Sequence, residues 1–189
     1  EGIYPNTVSK FLLNYRNLEK IHVKIVKMNY DKLKSGKYRG DKFYKFLQKE
    51  KGVYEKEIDL NTPLDYNPHS QELEIPALPH GYYYLVLSSD GRFEREDKTT
   101  GFASLSFWST RITYQSRKNK RKREILVSNR RTGEPLAGAK VKITYQEYNS
   151  PLSKYVTKTV GNFKTDEKGH FSFYGIGDYK NYNLEVTHG

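Results

Sequence analysis

Along most of the chain, apolar residues return at every second position. In "EKIHVKIVKMN" Ile21, Val23 and Ile25 alternate with His22 and Lys24, the period that puts two sets of side chains on opposite faces of a strand. "SKFLLNYRN" precedes it with a similar pattern, and Arg16, Asn17 and Leu18 lie near the turn between them. The two stretches are expected to pair as a hairpin. "VYEKEIDL", "QELEIPAL", "GYYYLVLSS" and "GFASLSFWS" follow, separated by the turn-rich segments "NTPLDYNPHS", "LPHG" and "SDG". One segment breaks the period. In "DKFYKFLQKEK", from Asp41 to Lys51, Phe43, Phe46 and Leu47 stand at i, i+3 and i+4, which predicts the one good amphipathic helix of the chain, in a connection between strands.

A second series begins at once. "TRITYQS" and "REILVSN" flank the basic run "RKNKRK", and "AKVKITYQEY", "KYVTKTVGNFKT", "HFSFYG" and "YNLEVTHG" complete it. Short strands at this spacing predict an all-β fold of two tandem antiparallel β-sandwiches rather than alternating strand and helix units. The expected domains are 1-108, a sandwich with one short helical insertion, and 109-189, a second sandwich. The two series read as a weak internal repeat in which each opens with a paired hairpin. Each also has a Tyr-rich strand after a turn, "LPHGYYYLVLSSDG" in one and "DYKNYNLEVTHG" in the other. The first series adds a strand after it and the second does not, so the second sandwich is expected to lack its last strand, leaving an open edge in a piece of a longer chain. The junction holds no Gly/Ser-rich linker, which predicts a stiff joint. Inner-face positions should include Val23, Ile25, Leu85, Phe107, Leu126, Val141, Ile143 and Phe173.

Composition removes chemistries rather than adding them. The chain of 189 residues has no cysteine, hence no disulfide, thiolate metal site or cysteine nucleophile. No apolar run approaches the ~20 residues of a membrane-spanning helix, and the first residues show no signal-peptide pattern. The net charge of +11 is unevenly placed: residues 1-108 hold 17 Lys and Arg against 15 Asp and Glu, residues 109-189 hold 16 against 7. Six of the second set, Arg117, Lys118, Lys120, Arg121, Lys122 and Arg123, crowd into one seven-residue stretch. They form the candidate polyanion contact, since clustered cations neutralise phosphates. The plainer reading is a solvated hairpin tip, because neither stacking aromatics nor a reading helix flanks the run; no nucleic-acid partner is expected.

Other constellations are absent. His22, His69, His80, His170 and His188 are scattered without metal-ligand spacing, and "DGRFERED" lacks the ligand order of a calcium loop. No serine occupies a Gly-x-Ser-x-Gly elbow. The pair Glu55 and Glu57 shares a strand face as surface carboxylates do. No enzyme activity, cofactor or metal is expected. Tyr82, Tyr83 and Tyr84 could make a sugar-stacking platform for an adhesion or glycan-binding module, but alternation across a central strand accounts for them.

The segment "ILVSNRRTGEPLAGAKVKI" has its own logic: a strand ends at Asn129, Thr132 and Gly133 reverse the chain, and Pro135 fixes the backbone where no ladder hydrogen bond is wanted. In "FKTDEKGHFSFYG" Asp166 and Gly169 mark a tight turn, and Phe171 and Phe173 share a face. With "LLNYRNLEKIHVKIVKMN" and "LEIPALPHGYYYLVLSS", these stretches make the whole chain resemble the N-terminal macroglobulin-like region of the bacterial alpha-2-macroglobulin family. Carboxypeptidase regulatory-like modules use a turn similar to "TGEPLAGA". The resemblance implies macroglobulin-like sandwiches of immunoglobulin-like or fibronectin-like architecture. It further implies non-catalytic scaffold within a larger extracytoplasmic protein, in the periplasm or at the cell surface, that traps peptidases. Its partners would be other domains of the same chain and, through the parent protein, the target peptidases. The thioester of that family needs a Cys-x-Glu-Gln motif, which a chain without cysteine cannot hold, so no catalytic or thioester residue is carried over.

Overall fold

Alternation becomes strands almost everywhere it was found. The structure is a computed structural model that describes residues 2–34, 40–60, 65–95, 101–176 and 180–189. It divides into two units, Glu1–Thr110 and Arg111–Gly189. The first holds β1 (Gly2–Ile3), β2 (Ser9–Tyr15), β3 (Lys20–Met28), helices α1 (Tyr30–Lys34) and α2 (Asp41–Lys49), β4 (Tyr54–Asp59), β5 (His69–Ile75), β6 (Gly81–Ser88) and β7 (Phe102–Ser109). A five-stranded sheet in the order β1-β7-β6-β3-β4 faces a two-stranded sheet of β2 and β5. Ile21, Val23 and Ile25 of β3, Tyr83 and Leu85 of β6 and Phe107 of β7 meet Leu13, Leu73 and Ile75 between the sheets.

The other face of the large sheet is buried too. Val26 and Met28 of β3 and Val86 of β6 pack beneath α2, whose Leu47 is fully enclosed, and Phe43 and Phe46 join them. That double burial explains the nearly continuous apolar character of "GYYYLVL". Lys24 is the polar member of this layer, only 4% exposed. Its Nζ donates to the Gln48 carbonyl at 2.9 Å near the end of α2 and lies 4.3 Å from the centre of the Phe93 ring. Burial pushes the Lys24 ammonium below its ordinary range.

Two expectations fail in this unit. β2 and β3 do not form a hairpin: β2 pairs antiparallel with β5, Leu12 opposite Glu72, while β3 lies between β4 and β6 in the other sheet. The chain crosses from one layer to the other through Asn17, whose φ of 51° is left-handed, so the short connection is an inter-sheet corner. Consequently only the second unit opens with a paired hairpin. The helix at Asp41 is present but has a companion, α1, for which Asn29 supplies a capping side chain: its Oδ1 accepts from the Lys32 amide at 3.0 Å.

Where β6 ends, Ser88 organises the connection. Its hydroxyl donates to Asp90 Oδ1 at 2.8 Å and accepts from the amides of Gly91 and Phe93 at 3.2 and 3.3 Å. The polar turn read in "DGRFERED" is described only as far as Arg95; Glu96 and Asp97 lie outside the described residues. The Ser88 hydroxyl first, then the backbone and side chain of Arg92, hold the Asp90 carboxyl down at about 2. A carboxyl held below its unfolded value stabilises the fold above pH ~4 and loses that contribution as pH falls toward ~2. Urea unfolding of the wild type and of Asp90→Asn should therefore show a stability gap that is constant at pH 5 to 7 and closes between pH 4 and 2. A gap of unchanged size at pH 2 would show that this carboxylate does not contribute in that way.

The second unit contains β8 (Ile112–Asn119), β9 (Lys122–Asn129), β10 (Lys140–Asn149), β11 (Lys154–Lys164), β12 (His170–Tyr174) and β13 (Tyr182–Thr187). Sheets β12-β9-β8 and β11-β10-β13 enclose Ile125, Val127, Val141, Ile143, Phe171 and Phe173. Leu126, expected inside, is half-buried on the outer face; Ile125 and Val127 point inward instead. The register decides this, because Ile125 stands opposite Phe171 and Leu126 opposite His170.

The two motifs that carried the family resemblance are physically joined. Thr165, 5% exposed, donates its hydroxyl to the Leu136 carbonyl at 2.6 Å and accepts from the Ala139 amide at 2.8 Å. Its backbone also accepts from Gly138 and donates to Ala139. "PLAGA" is thus tied to "TDEKG" by one threonine. Thr165→Val keeps the shape but strips both side-chain bonds, so the buried Ala139 amide and the half-buried Leu136 carbonyl each lose a partner. At about 1–3 kcal/mol for the fully buried amide and less for the half-buried carbonyl, denaturant titration should show a loss of about 2–3 kcal/mol, whereas Thr165→Ser should lose under about 1 kcal/mol.

Candidate functional site

The six cations of the basic run do not form one surface. Arg117 and Lys118 end β8, Lys120 and Arg121 make the two-residue turn, and Lys122 and Arg123 begin β9. The pleat then separates them. Arg117 opposite Glu124 and Asn119 opposite Lys122 share one side of the sheet; Lys118 opposite Arg123 belongs to the other, the side of Ile125 and Phe173. On the outer side, Lys122 Nζ reaches Glu124 Oε1 at 2.8 Å. This bond is the first cause that holds the Glu124 carboxyl below the usual carboxylate range and the Lys122 ammonium above its own. Both groups are solvated, so the pair contributes little. The hairpin tip is where the sequence reading put it, but its charges diverge.

Arg123 opens from the inner side onto a cleft of about 390 Å3, lined also by Tyr114, Phe173, Lys180 and Tyr182 and bordered by Arg117 of the edge strand β8. The Arg123 guanidinium lies 4.9 Å from the centre of the Tyr182 ring, a spacing suited to cation–π attraction. Lys180 lies 5.2 Å from the Tyr145 ring centre, and its Nζ is 3.4 Å from Glu147 Oε1. Glu147 also binds Lys158, and those two bonds lower its pKa. The result is an aromatic floor with a cationic rim. Phe173 and Tyr182 meet edge to face at 5.4 Å and make part of that floor. The sequence signal for it was present as Tyr114, Lys180 and Tyr182, but their spacing along the chain gives no hint that they converge.

A second concavity, of about 230 Å3, lies in the first unit between β2 and β7. It is apolar, lined by Phe11, Leu12, Leu73, Leu85, Leu87 and Leu105. The Tyr82–Tyr84 run builds no flat platform. Tyr83 is 1% exposed, stacks on Phe107 at 5.7 Å and donates to the Pro79 carbonyl at 2.9 Å. Tyr82 turns to the helix side, where its ring is 4.7 Å from Trp108 and 5.2 Å from Tyr30, tilted 45° and 71°. These rings meet tilted or edge to face, so they do not build one flat platform, and Trp108 among them is 37% exposed. Burial and the Tyr82 hydroxyl push the neighbouring Tyr84 phenol up to about 12, which keeps it neutral in the layer beneath α2. Among the described residues, no three His, Asp or Glu side chains are grouped to hold a metal ion.

No family model and no curated protein matches the sequence. Solved structures do match. A crystal structure of native alpha-2-macroglobulin from Escherichia coli spanning domains MG0-NIE-MG1 superposes with a TM-score of 0.62 at 16% identity, over 98% of this chain and 60% of that one. A second, spanning domains NIE-MG1, gives 0.56 at 15% identity, over 94% of this chain and 86% of that one. The chain spans about three fifths of the longer structure. At these identities the likeness is one of fold, and it extends over both units: the chain has the all-β sandwich fold of N-terminal domains of a bacterial alpha-2-macroglobulin.

Proposed function

We propose that the chain is a non-catalytic scaffold and interaction segment of a larger extracytoplasmic protein that traps peptidases, as an alpha-2-macroglobulin-like inhibitor. The observation that supports this most is the span of the structural match, which takes in 98% of the chain, both sandwiches in one superposition. Sandwich modules are common, and a fold alone carries no function. A match over two consecutive units is more specific than a match to one, since it includes their order along the chain. The Thr165 link between "PLAGA" and "TDEKG" adds a local reason why the resembling motifs occur together. The segment would contribute surface and stiffness, with the chemistry of capture lying in other domains of the same chain.

The test uses the parent protein. It is incubated with a serine, a cysteine and a metallo-peptidase in turn, and the mixtures are separated by size. The expected result is co-eluting peptidase that still cleaves a small chromogenic substrate but no longer degrades a large protein. If every peptidase elutes free and unprotected, the reading is overturned.

A further inference from the structure

The charge of the second unit is polarised along its length. β8 turns into β9 at Lys120 and Arg121, β12 ends at Tyr174 opposite Lys122, and β10 turns back into β11 at the same end of the sandwich. Tyr182 ties the levels of the two sheets together: its ring lies 4.9 Å from the Arg123 guanidinium and 5.4 Å from Phe173, and its backbone stands opposite Tyr145. In the sequence, residues 117–124, 146–158 and 174–182 hold nine Lys and Arg against three Asp and Glu, of which Asp178 lies outside the described residues. Residues 129–140, 164–170 and 183–189, toward the opposite end, hold five against four. Apolar surface follows the same polarity. Of the six large apolar or aromatic side chains exposed on this unit among the described residues, five belong to the basic end: Tyr148, Leu152, Tyr155, Tyr174 and Ile176.

The β10–β11 turn displays three of them in a fixed form. The Leu152 amide donates to Asn149 Oδ1 at 3.1 Å and the Ser153 amide to the Ser150 carbonyl at 3.1 Å, with Ser153 at a φ of 46°. The turn is closed by its own bonds, and Leu152 stands outside it, 57% exposed. Tyr148 and Tyr155 are opposite one another, with ring centres 5.4 Å apart, edge to face. No carboxylate occurs from Tyr148 to Thr157, and Glu147 below them is held by Lys158 and Lys180. The two tips also differ in reach. Beyond the level of Tyr182, β9 extends two residues from Arg123 to the turn at Arg121, whereas β10 extends four from Tyr145 to Asn149. At roughly 3.3 Å per residue the apolar tip projects about 7 Å past the cations.

We infer that this end of the second unit binds the surface of an anionic lipid membrane, with Leu152, Tyr148 and Tyr155 entering the interface and the basic run lying against the lipid phosphates. Reversible binding to a bilayer surface takes two signals, buried apolar area and attraction to anionic headgroups, and both are here. Their offset matches the order of the layers, since an apolar element settles about 5–10 Å into the boundary of headgroups and acyl chains while cations stay at the phosphates. Tyrosine suits that depth, with an apolar ring and a wet hydroxyl. The pleat sends the six cations to both sides of their sheet, which defeats a partner laid against either face. A plane met end-on collects both sides, because each cation lies within about 10 Å of the turn along its strand, close to one Debye length. A groove in a protein would take the apolar tip and leave the spread cations, and a nucleic acid would take the cations and leave Leu152 in water. The inference uses no strand edge and does not rest on peptidase trapping.

The probe is a set of sedimenting vesicles, one of phosphatidylcholine and one with about 30% phosphatidylglycerol, mixed with the 189-residue chain. Partition into the anionic vesicles should exceed that into the neutral ones by about tenfold or more and weaken as salt is raised. Lys120→Gln with Arg121→Gln should lower it by about tenfold, and so should Leu152→Ser with Tyr155→Ser. Lys140→Gln with Lys168→Gln, the same loss of charge at the opposite end, should change it less than about twofold. All of these side chains are exposed, and thermal melting should show each variant folded as the wild type. Because the chain has no cysteine, Leu152→Cys takes a single polarity-sensitive dye. Its emission should shift to the blue on anionic vesicles and stay unchanged with heparin, while the same dye on Lys168→Cys should not respond to either. The inference is overturned by any of four results: equal partition into the two kinds of vesicle, equal effects of the two pairs of charge substitutions, no effect of the Leu152 and Tyr155 substitutions, or a dye at position 152 that stays in water while the chain is bound.

Discussion

Replacing Gly169 by alanine should unfold the second unit at a markedly lower temperature while leaving the first unit untouched. Gly169 has a φ of 71°, and an added Cβ would stand 2.5 Å from the Val127 carbonyl oxygen, 3.0 Å from the Leu136 amide nitrogen and 3.0 Å from Pro135 Cβ. Two of those three atoms belong to backbone that cannot rotate away. The same strands are hydrogen-bonded there, Val127 N–H to Gly169 C=O at 2.8 Å and Leu136 N–H to Val127 C=O at 2.9 Å, so relief of the clash means breaking them. Left-handed strain costs about 1–2 kcal/mol, and the displaced backbone should bring the total to about 3–5 kcal/mol. For a unit of this size that is roughly 15–30 °C in melting temperature. Gly133→Ala is the matched control. Its φ is 76°, yet an added Cβ meets nothing within 4 Å, and it should cost only about 1 kcal/mol. The single tryptophan, Trp108, lies in the first unit, so its fluorescence should melt as in the wild type while far-ultraviolet dichroism reports the early loss. Equal effects of the two substitutions would show that crowding at Gly169 is not the cause.

The second large effect belongs to the first unit. Phe107 is completely buried, stacked on Tyr83 with ring planes 21° apart and in contact with Phe11 at 5.3 Å. Phe107→Ala removes a ring from the place where three strands, β2, β6 and β7, converge, and neither sheet can collapse into the space without losing register. A loss of about 3–5 kcal/mol is expected, read as an early transition in Trp108 fluorescence, since residue 108 directly follows. Phe107→Leu, which fills most of the volume, should lose less than half as much. If alanine and leucine behave alike, the site is not a packed junction.

Much of the fold was legible because alternation marks strands and their faces directly. Val23, Ile25, Leu85, Phe107, Val141, Ile143 and Phe173 are all buried as read. What alternation does not contain is partnership. β2 and β3 look like hairpin arms because they are consecutive and similarly patterned, but the left-handed corner at Asn17 sends them to different sheets. Tyr15 shows the difference, since its ring lies 5.9 Å from that of His69 on β5 rather than against β3.

Leu126 failed for a more informative reason. In "KREILVSN" three apolar residues are consecutive, and the phase through Ile125 and Val127 also puts Arg123 inward. A charged residue on the core face argues against that phase unless the core is open there, and it is. The error thus falls beside the cleft, where the core opens and a charged side chain can stand on the inner face. The basic run had the reverse problem. Six neighbouring cations suggest one charged plate, but a strand sends successive side chains to opposite sides, and of the six only Arg117 and Arg123 line the cleft with aromatics from distant strands.

One small element of the first unit bears on how it would respond to mechanical load. β1 is two residues long and runs parallel to β7, Gly2 beside Trp108 and Ile3 beside Ser109, and the Thr110 amide donates to the Ile3 carbonyl at 2.9 Å. Because the strands point the same way, tension applied between Gly2 and Thr110 pulls them along their length in opposite directions. The hydrogen bonds between them are then strained together in shear, instead of being peeled apart one after another as in a hairpin pulled at its open end. A short strand in this position acts as a clasp, so that the unit resists extension at its ends with all of these bonds at once.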